Sequence, residues 1–298
     1  MRARIRAATA RDLEQTYDVW REAETAAASG AEAPPSRSQT SLHQHEMETG
    51  DMFVAESGGR IIGFAAAITR GRIRFLAELY VRPEHRSEGL GRRLLERALP
   101  PHDNTVDATL SSDDPRAVGL YVRHGMQPNW PYFYLLGQRG GLRDVEECGT
   151  QIVRAEAGDP NLINWDRGIC GRERSQDHSY WVNGAAAVAL WFRREGRTAG
   201  YGYVQMRSEE SIWYPDAATI GPVGARTIEE ARMCALAAVA WARERASVLR
   251  IGVPGPHPAL APLLEAGFRI TDTDIFVCRG SGMFADPRRY IPSGGALF

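Results

Sequence analysis

The sequence predicts an α/β fold of two consecutive domains, each a mixed β-sheet flanked by helices. Three observations carry this. Short strand-like runs alternate with amphipathic helical stretches along the first half. One strand runs through a glycine-bearing turn straight into a leucine-striped helix, Leu76 to Leu99. The second half then repeats the order of the first in weaker form, in a chain of 298 residues, against ~100–200 for an ordinary domain.

Taken in order, Arg4 to Ala7 reads as a short strand. Thr9 precedes a helix with Leu13, Tyr17 and Trp20 at helical spacing. Ser29 to Ser41, rich in Ala, Gly, Pro and Ser, reads as a loop, and Leu42 to Glu48 as a second helix. Phe53 to Ala55 and Ile61 to Ile68 are strands around Ser57-Gly58-Gly59-Arg60, a hairpin signal. Arg74 to Val81 is a strand, and Gly89 to Leu99 a helix with Leu90, Leu94, Leu95 and Leu99 on one face. Val106 to Leu110 (strand), Pro115 to His124 (helix) and Tyr132 to Leu136 (strand) close the first half.

Composition excludes several functions. Net charge is -1, so no basic field argues for nucleic acid. All 36 basic residues are Arg. Lysine Schiff-base chemistry and the P-loop lysine are therefore excluded. The longest uncharged apolar run, Met233 to Ala242, is ten residues, against ~18 for a membrane span. No apolar stretch follows the first arginines, so no secretory signal is read and the expected compartment is the cytoplasm. Cys148, Cys170, Cys234 and Cys278 form no CxxC clip and read as free thiols. His43 and His45 with Glu46 could suggest a metal, but HxHE alone is a weak signal; they read as a solvated polar helix face, and no metal is expected.

The informative segment spells Arg86-Ser87-Glu88-Gly89-Leu90-Gly91, or R-x-x-G-x-G. Glycines at a helix start let the backbone approach a ligand, and the free N–H groups with the helix dipole suit phosphate. The run lacks the spacing of a Rossmann fingerprint and the end of a P-loop. A plain strand-to-helix turn explains these six residues alone equally well. Downstream, Asp114 to Met126 reads DPRAVGLYVRHGM, ending a helix at Gly125.

Together the two segments resemble the GNAT superfamily of acetyl-CoA-dependent N-acetyltransferases, over about residues 3–137. Arg86, Gly89 and Gly91 match that family's [QR]-x-x-G-x-[GA] motif. Ala117, Leu120, Tyr121 and Gly125 match its second motif, with Asp114 in place of Asn and Met126 in place of Phe. The resemblance implies acetyl-CoA as co-substrate. It implies a splayed fourth strand whose Leu79, Tyr80 and Val81 meet the coenzyme, the Val81 N–H facing the thioester oxygen. It implies that Arg86, Ser87, Glu88, Gly89, Leu90, Gly91 and Arg92 hold the pyrophosphate, with Asp114 near the pantetheine. Tyr121 would protonate the leaving thiolate. Glu78 is the candidate base or a binder of a cationic acceptor; its alternative is a strand-end carboxylate paired with Arg72 or Arg74. His85 and His124 are rival bases.

The second half reads as a degraded copy. Thr198 to Val204 echoes Arg60 to Ala66, Ile228 to Ala242 echoes the helix after Gly89, and Val248 to Phe268 echoes Val106 to Met126. Aligning Gly267 on Gly125 places Leu263 at Tyr121, and Ala231 and Met233 at Gly89 and Gly91. No R-x-x-G-x-G survives there. The expected division is 1–140 (coenzyme-binding, catalytic) and 150–298 (degenerate), joined by Gly137 to Thr150. Mycothiol synthases resemble this layout, with the opposite half active. The expected acceptor is a small amine or an N-terminal amine, and the chain monomer or homodimer. The rival class is a non-catalytic acetyl-CoA-binding sensor or interaction protein. Five of the seven tryptophans follow residue 150 and are read as core and interface residues.

Overall fold

The computed structural model describes residues 3–28, 40–101, 105–145, 149–207, 211–280 and 283–298. Most of the predicted loop after the first helix (29–39) and Cys148 lie outside them. The chain forms two compact units, residues 1–109 with 209–215, and residues 110–208 with 216–298.

In the first unit, strands β1 (Arg4–Ala7), β2 (Asp51–Ser57), β3 (Arg60–Arg70) and β4 (Ile73–Val81) pair antiparallel in chain order. β5 (Val106–Ser112) then joins β4 in parallel. This is the mixed sheet predicted. Helices α1 (Leu13–Ala27) and α2 (Ser41–Thr49) lie on one face. There Tyr17, Val19 and Trp20 pack on Met52, Val54 and Phe64. Helix α3 (Leu90–Ala98) takes the other face. Its Leu94 is fully buried beside Gly63 and Val81, so the four leucines behave as the sequence stripe requires.

One part of this core comes from far along the chain. Ile212 and Trp213 join the Tyr17–Trp20 cluster. No local pattern marks that segment, since its apolar face is defined only by what it packs on.

The second unit contains α4 (Pro115–Arg123), β6 (Gln127–Gln138), β7 (Gln151–Arg154), α5 (Pro160–Cys170), α6 (Ser175–Ser179), β8 (Val188–Arg194) and β9 (Arg197–Gln205). It continues with β10 (Ala218–Ala225), α7 (Ile228–Arg243), β11 (Val248–Pro254), α8 (Leu260–Glu265), β12 (Arg269–Cys278) and β13 (Tyr290–Ile291). Its strands run β12-β6-β11-β10-β9-β8-β7, with β13 on β10. The ten-residue apolar run falls on α7, which is buried nearly all round because it packs on β9, β10 and β11.

The packing divides the chain differently from the sequence halves 1–140 and 150–298. α4 and β6 belong to the first half in sequence, yet β6 pairs along both edges, with β11 and with β12. A strand buried on both edges takes its partners from whatever register satisfies its backbone, which sequence proximity does not fix.

The interior of the second unit is also polar. Asp166, fully buried, accepts two hydrogen bonds from Arg174 (2.7 and 2.6 Å), one from the Tyr201 hydroxyl and one from His178 Nε2 at 3.1 Å. Burial alone would raise its pKa; the Arg174 charge and the bonds from Arg174 and His178 hold it far below the usual carboxylate range. Arg174 in turn donates to Tyr290 (2.7 Å) and to the carbonyls of Leu297 and Phe298, fastening the last segment to α5.

Burial lowers His257 from its ordinary value to about 3. Its Nδ1 accepts the Ala259 N–H (3.2 Å) just before α8. The native state keeps this ring neutral while the unfolded chain protonates near pH 6.5. Its contribution is therefore complete above about pH 6.5 and lost progressively toward pH 3. His257→Asn retains an acceptor for Ala259 and does not titrate. Urea unfolding across pH 4–7 is expected to show a slope shallower than wild type by up to about 1.4 kcal/mol per pH unit.

Candidate active site

The site is built on the outgoing half of β4. Against β3 the register slips between Ala67↔Leu76 and Ala66↔Glu78, leaving Ala77 as a bulge. The parallel pairing with β5 covers only Ile73–Phe75 against Val106–Ala108. Beyond it, β4 pairs with β3 alone among the described residues. The Arg82 N–H donates to Ile62 of β3 (3.0 Å). By strand alternation Tyr80 turns its N–H to β3 as well, while the N–H groups of Leu79 and Val81 point away from it. Those two donors are the ones the resemblance assigns to a coenzyme. The Tyr80 N–H is occupied with β3, and its ring stacks on Phe64 at 5.9 Å.

Alternation places Glu78 with Tyr80 on the α1 face, opposite Leu79 and Val81. Glu78 is 7% exposed. Of its expected partners, Arg74 pairs with Asp107 at 2.7 Å.

β4 leads through a 3-10 turn, Pro83–His85, into the glycine loop. Arg82 fixes the turn by donating to the Ile61 carbonyl (2.8 Å) and pairing with Glu22. Arg86 reaches back to the carbonyls of Val81 (3.4 Å) and Ala23 (3.5 Å). Ser87 and Gly89 take left-handed backbone, φ 68° and 75°. Gly89 is the residue before α3 and supplies no side-chain cap. The N–H groups of Leu90, Gly91 and Arg92 thus begin a helix with no partner inside it. They open on a cavity of about 480 Å³ lined by Ser57, His85, Glu88, Gly89, Arg92 and Arg93, with Ala3, Ile62 and Leu90. An uncapped helix start flanked by two guanidinium groups suits an anion.

The corresponding place in the second unit is closed. α7 begins after Thr227, so Thr227 and not Ala231 stands where Gly89 does; the constant offset fails at this helix. Thr227 Oγ1 accepts the Glu230 N–H (3.2 Å), and the Glu230 carboxylate takes the Thr227 N–H (3.2 Å). This capping box engages the Thr227 and Glu230 N–H groups, and Glu229 and Glu230 add negative charge. β10 repeats the device of β4, with a register break after Ile220 and parallel pairing to β11 only at Ala218–Ile220. Past the break, Val223 and Gly224 pair with Ile291 and Tyr290 of β13.

Asp114 and Tyr121 lie on α4 in the second unit. Asp114 caps α4, accepting the Arg116 N–H (2.8 Å) and pairing with its guanidinium (2.6 Å). Tyr121 is buried, and its carbonyl accepts the Met126 N–H (3.0 Å) past the left-handed Gly125. Leu263 repeats this: its carbonyl accepts the Phe268 N–H (3.1 Å) past the left-handed Gly267. Here the sequence alignment of the halves holds to the residue.

One sequence reading is overturned. His43, His45 and Glu46 are not a solvated face; all three are buried, because α2 lies against α1, β2 and β3. Burial lowers His43 to about 4. The absence of an apolar stripe on α2 hid this, and no spacing signal reveals which face of so polar a helix turns inward. His85 lines the cavity at α3, whereas His124 follows α4.

The family model of the acetyltransferase (GNAT) domain matches residues 48–128, which hold β4, the glycine loop and α3. Residues 48–128 are thus similar to the acetyltransferase (GNAT) domain. The chain's fold also resembles solved structures along nearly its whole length. A Pyrococcus horikoshii protein described as an acetyltransferase shares 18% identity over 99% of this chain and 96% of that one, with TM-score 0.74. A tandem GNAT protein from the clavulanic acid biosynthesis pathway shares 17% over 94% and 100% (TM-score 0.60). A GNAT protein from Sphaerobacter thermophilus shares 13% over 95% and 98% (TM-score 0.63). The fold of this chain is thus similar, along nearly its whole length, to that of a tandem GNAT protein. Among the described residues, no helix is long and apolar enough to cross a membrane.

A Cβ placed on Gly89 would meet no atom within 4 Å. Gly89→Ala should therefore cost only its backbone strain, about 1–2 kcal/mol, in urea unfolding. A much larger loss would mean that the loop is packed and not open.

Proposed function

We propose that this chain is an acetyl-CoA-dependent N-acetyltransferase whose single coenzyme site is held by the first-half motifs. The observation that carries the reading is the uncapped, left-handed entry into α3, which follows the parted strand β4 and opens on a cavity lined in part by Arg92 and Arg93. Acetyl-CoA supplies the acetyl thioester. The N–H groups of Leu90, Gly91 and Arg92 hold its pyrophosphate, with Arg86, Ser87 and Glu88 shaping the loop. The N–H groups of Leu79 and Val81 meet the pantetheine and the thioester oxygen, and one such donor is typically worth ~10²–10³ in rate. The acceptor amine forms the C–N bond as the C–S bond breaks. Glu78 takes the proton the amine loses, directly or through water. The Tyr121 hydroxyl gives its proton to the departing thiolate. The acceptor class is a small amine or an N-terminal amine.

The closed second-unit counterpart supports one coenzyme per chain. Calorimetry with acetyl-CoA should give one site, and Gly91→Glu, tolerated by a helix but placing a carboxylate among the phosphate donors, should weaken it at least tenfold. Two equal sites would refute the assignment. With an acceptor found by screening amines, Tyr121→Phe should lower kcat by ~10²–10⁴ with coenzyme affinity retained. Full kcat in that variant would make Tyr121 a packing residue. Coenzyme binding without turnover on any amine would favour the sensor.

A further inference from the structure

The second helix and the fourth strand of the first unit bring together three side chains whose spacing in sequence gives no hint of it. His43 and Glu46, one turn apart on α2, share a helix face. That face meets Glu78 of β4. Each residue offers a ligand atom, and the three atoms lie within 4.8 Å of one another. All are buried: His43 is 3% exposed, Glu46 fully enclosed and Glu78 7% exposed. They lie outside the cavity at α3.

The imidazole is set up as a ligand. Thr16 Oγ1 donates its proton to the Leu13 carbonyl (2.9 Å). It can then only accept from His43 Nδ1, 3.1 Å away. The neutral ring therefore carries its hydrogen on Nδ1 and leaves Nε2 as a lone pair. Trp20 and Phe64 hold the ring edge-on and tilted, at 6.3 and 5.1 Å. An N–H held by an oxygen acceptor on one side and a bare nitrogen on the other is the arrangement metal-binding histidines use.

From this geometry we infer that His43, Glu46 and Glu78 form a site for one divalent transition-metal ion of the zinc class. One imidazole and two carboxylates are a donor set such an ion accepts, and its charge balances both carboxylates. Ligand atoms around tetrahedral zinc lie about 3.3 Å apart for bonds of about 2.0–2.1 Å, so the site needs a modest contraction. Occupied, it staples α2 to β4 and takes Glu78 out of the role of base, which then falls to water or to His85.

The test is calorimetry on the full chain stripped with a chelator and titrated with zinc chloride alone. It needs neither coenzyme nor acceptor, so it stands whatever becomes of the proposed acetyl transfer. The expected result is one zinc per chain, displaced by the chelator, and visible absorption bands when cobalt replaces zinc. Glu46→Gln and His43→Ala should each weaken binding at least 100-fold. Thr16→Val keeps all three ligands and the shape but removes the acceptor for Nδ1–H; it should weaken binding 10–100-fold, as loss of an outer-sphere partner does. Absence of binding of zinc, cobalt and manganese to the wild-type chain would overturn the inference. Zinc binding undiminished by His43→Ala in a folded variant would overturn it equally, by placing the ion elsewhere.

Discussion

The parting of β4 from β5 is the constraint on which the rest of the candidate site depends. A sheet strand normally spends every backbone donor on its two neighbours, since an unpaired buried N–H is costly. β4 does so only as far as Phe75. The bulge at Ala77 then turns the strand, and Leu79 and Val81 keep donors aimed away from β3. The turn at Pro83–His85, fastened through Arg82, and the left-handed Gly89 bring α3 in with its first N–H groups uncapped. Two sets of backbone donors, one from a strand and one from a helix start, are exposed by the same departure from regular pairing.

The second unit shows how the chain itself can take up such donors. The break in β10 is kept, but β13 pairs with the freed segment, and a threonine–glutamate box caps α7. The chain thereby supplies its own strand and its own anion. This second copy buries its polar groups instead, with Asp166 and Arg174 fully enclosed and tied to the closing segment. Breaking such a pair strands a buried charge, so the network constrains which segments pack there.

The first unit carries a different polar interior. His43 and Glu46 are turned inward on a helix with little apolar character, against Glu78 on the strand that bears the candidate donors. Polar residues under an aromatic roof of Trp20 and Phe64 are not what a packing argument selects. They fit better as residues kept for chemistry or for an ion.

The sequence by itself determined what is local. The leucines of α3, the glycine before it, the C-cap at Gly125 and its echo at Gly267 follow from helical period and from backbone only glycine adopts easily. Those were enough to mark the glycine loop before α3 and the repeated layout. The tertiary structure decided what is non-local. It set β6 between β11 and β12, sent Ile212 and Trp213 into the first unit's core, paired β13 with β10 past its register break, and buried His43 and Glu46 beside Glu78. Strand partnership and the inward face of a polar helix are fixed by hydrogen-bond satisfaction and burial across long separations, and these leave no period in the chain.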